Sequence, residues 1–354
     1  MKRWLVPMTA LLVVLSAGAE FLHASTLTVF ILSAITIIPL AGFMGRSTEA
    51  IAAHAGARVG GLLSATFGNA VELIIGVLAL QNGLTALVKA SITGSILGNL
   101  LFVLGVSFVV GGIRHPIQRF NIRAARSNAS MLLLSVGVAF VVPAFFTTGT
   151  SQTSMGLSVV VAVVAFILYI LGLFFALFTH RNLFAHIDQV AKDSEHEEET
   201  WRLWPAIGML LLTTVVVSFE SEWLVGSLKQ VGEQLGWSEV FMGVVVVAIV
   251  GNAAEHASAV LMAWKNRMDL SLEIAVGSSL QVAMFVAPVL FAVSLIFGHP
   301  MPLLFSRPEL ASMGAAVLLV AVLMMDGESN WLEGTLAVGA YLVMAVGFYT
   351  LPAF

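Results

Sequence analysis

A chain of 354 residues that is 59% apolar and only 10% charged cannot clothe a soluble surface, because soluble domains carry roughly a quarter charged residues. With 16 basic and 20 acidic side chains it has no basic excess for nucleic acid, and with no cysteine it has neither disulfides nor thiolate metal sites. These numbers point to an integral membrane protein.

Apolar runs of spanning length fall at 4–19, 27–44, 58–81, 84–111, 127–148, 154–179, 203–220, 238–264, 271–297, 308–325 and 330–352. Eleven such runs predict an all-α, polytopic membrane protein with 11 transmembrane helices. Met1-Lys2-Arg3 followed by a short apolar run and Ala17-Gly18-Ala19 also fits a cleaved signal peptide. Either reading leaves residue 20 outside. Lys and Arg set the orientation: with the N-terminus inside, 13 of them are cytoplasmic, from Lys2 and Arg3 through the 114–126 cluster to Lys265 and Arg267. The opposite side holds Lys229 and Arg307, and Lys89 lies within the fourth run. The N-terminus is therefore expected in the cytoplasm and the C-terminus outside, in a bacterial-type plasma membrane.

The most polar stretch, 180–202, carries Asp188, Asp193, Glu195, His196 and Glu197 to Glu199. It reads as a solvated cytoplasmic linker, or as a short acidic helix that senses cations or pH. On either side of it the sequence repeats. Gly68-Asn69-Ala70-Val71-Glu72 recurs as Gly251-Asn252-Ala253-Ala254-Glu255, and Gly94-Ser95 recurs as Gly277-Ser278, always 183 positions later. From residue 68 to 105 the register holds 12 identities in 38 pairs. A repeat of this kind decides architecture. The predicted organisation is a first helix at 1–20, a five-helix unit at 21–179, the linker at 180–202 and a second five-helix unit at 203–354. An odd number of crossings per unit makes the halves inverted, about an axis in the membrane plane.

Each copy of the motif places a glutamate at mid-membrane depth, where an ionisable side chain is expensive and so a functional candidate. Helical spacing puts Asn69 beside Glu72 and Asn252 beside Glu255, with Thr66 one step further along. The neighbouring runs carry Ser91, Ser95 and Asn99 in one unit, Ser278 and Gln281 in the other. Gly94, Gly98 and Gly277 are expected to let those helices unwind and present carbonyl oxygens to a cavity. Carboxylate, amide and hydroxyl oxygens without sulfur suit Ca²⁺; Mg²⁺ fits less well and Mn²⁺ stays open. No cofactor is expected. Bare, the glutamate pair carries two negative charges, which one Ca²⁺ or two protons would cancel; exchange at constant carrier charge follows. His256, absent from the first copy, is a candidate proton relay or an interior histidine. Glu49 and Glu222 follow the second and seventh runs and are candidate access-path acids, or ordinary loop acids.

At these residues the sequence resembles the CAX family of Ca²⁺/H⁺ antiporters, within the wider cation/Ca²⁺ exchanger superfamily. Gly68 to Ile74, Lys89 to Leu101, Gly251 to Ala257 and Gly277 to Gln281 look like its two α-repeats. The resemblance implies a Na⁺/Ca²⁺ exchanger-like fold, alternating access with the second and seventh helices as gates, and Glu72 and Glu255 as the central acids. It also implies that Glu49 and Glu222 match acids on the gating helices, and that His256 matches a histidine of some members. Several members form homo-oligomers. A Na⁺-coupled exchanger and a passive cation channel are the alternatives. An intramembrane aspartyl protease is disfavoured because Asp occurs only at 188, 193, 269 and 326, in or beside predicted loops.

Overall fold

A computed structural model describes residues 4–146, 151–179 and 201–351. The linker acids at 188–199 lie outside the described residues, as do Lys2, Arg3, Arg181 and Lys192. The described chain is nearly all helical. In order, the helices are α1 Leu5–Phe21, α2 Thr26–Ala55, α3 Ala57–Phe67, α4 Ala70–Gln81, α5 Thr85–Arg114, α6 Ile122–Phe145 and α7 Ser154–Thr179. After the linker come α8 Leu203–Leu235, α9 Glu239–Trp264, α10 Met268–Ile296, α11 Arg307–Leu323 and α12 Trp331–Tyr349. Among the described residues, 8 of these are long and apolar enough to cross a membrane alone; α1 and α4 are shorter apolar helices.

Four sequence expectations need correction. The second and seventh runs stop at 44 and 220 by hydropathy, whereas α2 continues to Ala55 and α8 to Leu235. Both tails are polar, and they stay helical because the two helices pack along one another over most of their length. Glu49 and Glu222 therefore lie on helix bodies, not after them. The run at 58–81 is broken at Gly68-Asn69 between α3 and α4. Gly94 and Gly277 do not unwind their helices. Instead the chain widens into i→i+5 turns just beyond, at Gly98–Val103 and Val282–Val286, the same repeat register. Such π turns often mark functional sites.

The polar connections sort into two ends. At one, Gln118-Arg119 pairs antiparallel with Glu328-Ser329, and Arg119 Nε meets Glu328 Oε1 at 3.0 Å. Gln118 Nε2 reaches the Ala263 carbonyl at 2.8 Å, and the Asn121 N–H donates to Asp269 Oδ1 at 2.6 Å. Arg114, which stacks over Trp264 at 4.9 Å, belongs to this same basic end. At the other, Thr26 Oγ1 donates to Gln230 Oε1 at 2.8 Å and Lys89 Nζ to the Leu304 carbonyl at 3.1 Å.

α5 is the central post: Leu97, Leu100, Leu101, Leu104 and Phe108 are all 0% exposed. α7 stands at the edge and turns Val160, Val163, Ile167 and Leu171 outward. Lipid is as apolar as these side chains, so helices associate by close backbone approach at small residues rather than by hydrophobic exclusion. α5 shows this on two sides. A β-carbon on Gly94 would run into the Val244 carbonyl of α9, and one on Gly243 would stand 2.5 Å from Ala90 Cβ. Gly105 faces Gly334 of α12 in the same way.

The obstacle at Gly94 is backbone, which cannot swing aside. Gly94→Ala is expected to destabilise the protein by about 1–3 kcal/mol or more. The thermal unfolding midpoint in detergent should fall. Gly226→Ala is the control, since nothing lies within 4 Å of a β-carbon there.

Candidate functional site

The two motifs meet where α4 and α9 cross. Gly251 is the reason they can. A β-carbon on Gly251 would sit 3.2 Å from Glu72 Cγ, and one on Gly68 would sit 3.6 Å from Glu255 Oε1. Gly251 thus makes room for Glu72, while Gly68 lies in ordinary contact with Glu255 and is tight against the Ser64 carbonyl of its own repeat. The two carboxyl groups approach the same crossing from opposite repeats. Glu72 lies in the first turn of α4, immediately after the break at Gly68-Asn69. Helix N-termini favour negative charge there. Glu255 lies inside the unbroken α9, so the two acids reach the same place from different backbone settings.

The surrounding amides are ordered by hydrogen bonds that turn their donors to neighbouring side chains and backbone. Asn252 Nδ2 donates to Ser95 Oγ at 2.9 Å and to the Ala248 carbonyl at 2.9 Å. Asn69 Nδ2 donates to Gln281 Oε1 at 2.5 Å. Asn99 Nδ2 donates to Ser278 Oγ at 3.0 Å, which fixes that hydroxyl on the Glu255 side of the crossing. His256 Nε2 lies 3.1 Å from Asn99 Oδ1 and, with that oxygen as acceptor, is the donor. Phe102 meets the imidazole edge-on, with ring centroids 6.4 Å apart.

Four oxygens remain. Asn69 Oδ1, Asn252 Oδ1, Glu72 Oε1 and Glu255 Oε2 are buried and have no hydrogen-bond partner. Two are neutral and two belong to carboxyl groups, one of each from either repeat. Buried polar atoms are normally satisfied. A cluster in which every orphan is an acceptor is complementary to a positive ligand, a cation or protons, and not to an anion or an acceptor-rich solute. The donors are hard oxygens throughout, of the kind that divalent cations such as Ca²⁺ and Mn²⁺ accept.

All eight residues read from the sequence as cation or proton ligands fall in this one network: Glu72, Glu255, Asn69, Asn252, Ser95, Asn99, Ser278 and Gln281. His256 joins it through Asn99. Its path to Glu255 runs over Asn99 and Ser278, and a side-chain amide holds a geometry more readily than it passes a proton. Thr66 turns back to the Leu62 carbonyl and Ser91 to the Val88 carbonyl, both within their own helices. Glu49 and Glu222 are exposed on α2 and α8, outside the network.

Two acids escaped the sequence reading. Glu273 of α10 accepts from Asn128 Nδ2 at 2.8 Å, one turn before Gly277. Together with Asn121 and Asp269 it lines a small crevice at the basic end. Glu220 lies two residues before Glu222 and is 0% exposed. The signal for Glu273 was available, an acid amid an apolar run. That for Glu220 was not, since hydropathy ended the seventh run there.

Comparison with known proteins gives a consistent result. The sodium/calcium exchanger protein family matches residues 25–178 and 205–350. The Ca²⁺/H⁺ antiporter ChaA of Bacillus subtilis is 50% identical over 338 residues, 95% of this chain and 96% of its own. A Ca²⁺/H⁺ antiporter of Synechocystis is 46% identical over 354 residues, covering 96% of this chain and 95% of that one. The structure of native YfkE superposes with a TM-score of 0.85 at 46% identity, over 98% of this chain and 100% of the other.

Widening the residue at position 251 tests the crossing directly. Gly251→Val should push Glu72 aside while leaving both carboxylates present. The rise in unfolding temperature that Ca²⁺ gives the wild type should shrink or vanish in this variant, since ligand stabilisation scales with affinity. An unchanged Ca²⁺ response would separate Gly251 from the site.

Proposed function

The chain belongs to the sodium/calcium exchanger protein family, and from that premise we propose that it is a secondary active transporter exchanging cytoplasmic Ca²⁺ for external H⁺. The observation that carries this reading is the set of four unpartnered oxygens from Asn69, Glu72, Asn252 and Glu255. The names of the curated relatives support the choice of ions.

The mechanism follows from charge. With both glutamates ionised, the centre of the molecule carries two negative charges, and exposing that state to the low-dielectric interior during a change of access is costly. One Ca²⁺ cancels both charges, and so do two protons. The carrier changes face in either neutral state and stalls when bare, which couples the two ions without a gate dedicated to either. Because the carboxylates feel one another, the pair titrates as a unit rather than as two independent acids. Ser278, held by Asn99 and through it by His256, keeps Glu255 oriented. Ser95 and Gln281 do the same for the asparagines. Mn²⁺ has the same oxygen preference and is the natural competitor.

The architecture we infer has eleven transmembrane helices, α3 and α4 together forming one broken crossing. The units are a first helix at 1–20, an acidic linker at 180–202, and two inverted five-helix halves at 21–179 and 203–354. The two blocks of the family match, which omit the first 24 residues and 179–204, support that division. The gathering of Arg114, Arg119 and Arg126 with Lys265 and Arg267 at one end supports a cytoplasmic N-terminus. α2 and α8, packed along one another, are the helices placed to slide, and Glu49 and Glu222 ride on their outer faces.

Glu72→Gln and Glu255→Gln are expected to abolish Ca²⁺ uptake into inverted vesicles driven by a pH gradient, a loss of at least about 100-fold, with folding intact. Retained uptake in either variant would refute the site. Uptake driven by a Na⁺ gradient at fixed pH would instead favour a Na⁺-coupled exchanger, and flux that never runs uphill would favour a channel.

A further inference from the structure

We propose that Glu220 forms a second proton-binding site, separate from the Glu72–Glu255 pair, at the junction of α8 with α1 and α2. Glu220 sits midway along α8 and is 0% exposed. Ser16 of α1 donates to its Oε2 at 2.6 Å, and Ser33 of α2 stands behind Ser16. The two serine hydroxyls are 3.2 Å apart, and both residues are 0% exposed. Glu220 Oε1 is buried without a partner. Three helices thus close a small polar chamber around a single acid.

The ligand is argued from the charge and the donor count. Charged and titratable groups on the surrounding helices are Glu20 on α1, Arg46, Glu49 and His54 on α2, Glu222, Lys229 and Glu233 on α8, and Glu72 on α4, which also packs against α8. None of them pairs with Glu220 among the described contacts. Glu20 lies one turn from Ser16 toward the end of α1, while Arg46 is 13 residues from Ser33 along α2. Glu222 is about 200° round the helix from Glu220 and faces away. A buried carboxylate without a cation is costly. Ca²⁺ would need 6–8 oxygens, whereas this chamber offers one carboxyl group and two hydroxyls and would be left with an excess positive charge. A proton neutralises the acid and turns it into a donor.

The site also gives α1 a role. α1 is the one helix outside the five-helix units, and Ser16 and Thr9 are its buried polar residues. Thr9 bonds its own helix at Leu5, so Ser16 is the side chain that reaches across. The protonated chamber holds α1 and α2 against α8, the two helices placed to slide. Losing the proton leaves a charge that has to reach water, which loosens the junction. Proton occupancy here would regulate movement without being part of the exchanged ions.

Infrared difference titration of the full chain in liposomes tests the proposal without relying on transport. The wild type should show a protonated-carboxyl band that is missing in Glu220→Gln and still present in the double variant Glu72→Gln/Glu255→Gln. Ser16→Ala should move the midpoint of that band by about half a pH unit or more, the size expected for one hydroxyl hydrogen bond. Glu220→Gln keeps shape and hydrogen-bonding capacity and should fold; Ser16→Ala tests the site with the acid intact. An unchanged band pattern in Glu220→Gln would overturn the proposal, as would displacement of the band by Na⁺ or K⁺ at fixed pH. A failure of the exchange assay with this band intact would count against the central pair alone.

Discussion

The structure depends on bringing two acids together inside an apolar bundle and leaving their oxygens without donors. Nothing in lipid would tolerate that arrangement unaided. It persists because the helices that carry the acids touch at glycine, and because neighbouring amides point their N–H groups elsewhere. Gly251 sets the distance, while Ser95, Gln281 and Asn99 set the chemistry. Filling a glycine or freeing an amide would relieve the strain on the carboxylates and remove the affinity with it.

Much of this was legible in the sequence, and for a physical reason. A buried acid amid apolar residues is rare, so two in register, each with an asparagine three residues before, single out one crossing point. The serines, Asn99 and Gln281 followed from helical periodicity alone. Helix ends were legible only where apolar residues stop being needed. α2 and α8 outrun their hydropathy because the two lie antiparallel along one another, Thr26 at Gln230, so the tail of each rests on its partner helix and not on lipid alone. The same error hid Glu220, the last residue of the seventh run as first read. The break at Gly68-Asn69 was also out of reach: the identical dipeptide at Gly251-Asn252 stays helical. Local sequence therefore does not determine the kink; the neighbouring chain does.

The near-symmetry of the site fails in one layer. Asparagine, glutamate, glycine and serine repeat exactly 183 residues apart, but Asn99 corresponds to Val282, Gln281 to Gly98, and His256 to Leu73. The unpartnered oxygens are duplicated and the residues behind them are not. Asn69 is consequently held by Gln281, Asn252 by Ser95, and only Glu255 has a hydroxyl tied through an amide to an imidazole. Two equivalent acids would bind and release identically toward both faces. Different support makes the two halves structurally unequal, while the direction of any exchange is left to the gradients.

The π turns follow from the same demand. A regular helix through Gly94 and Ser95 or Gly277 and Ser278 would carry its hydroxyl toward the centre and then continue undisturbed to the far end. Widening immediately afterwards, at Gly98–Val103 and Val282–Val286, rotates everything beyond the polar residues relative to everything before them. The apolar side chains that follow, Phe102 and Phe285, are thereby free to find their own partners: Tyr341 and the His256 edge for one, Tyr169 and Phe166 for the other. Ser95 stays on Asn252 and Ser278 on Asn99 because the rest of each helix is not obliged to share their register.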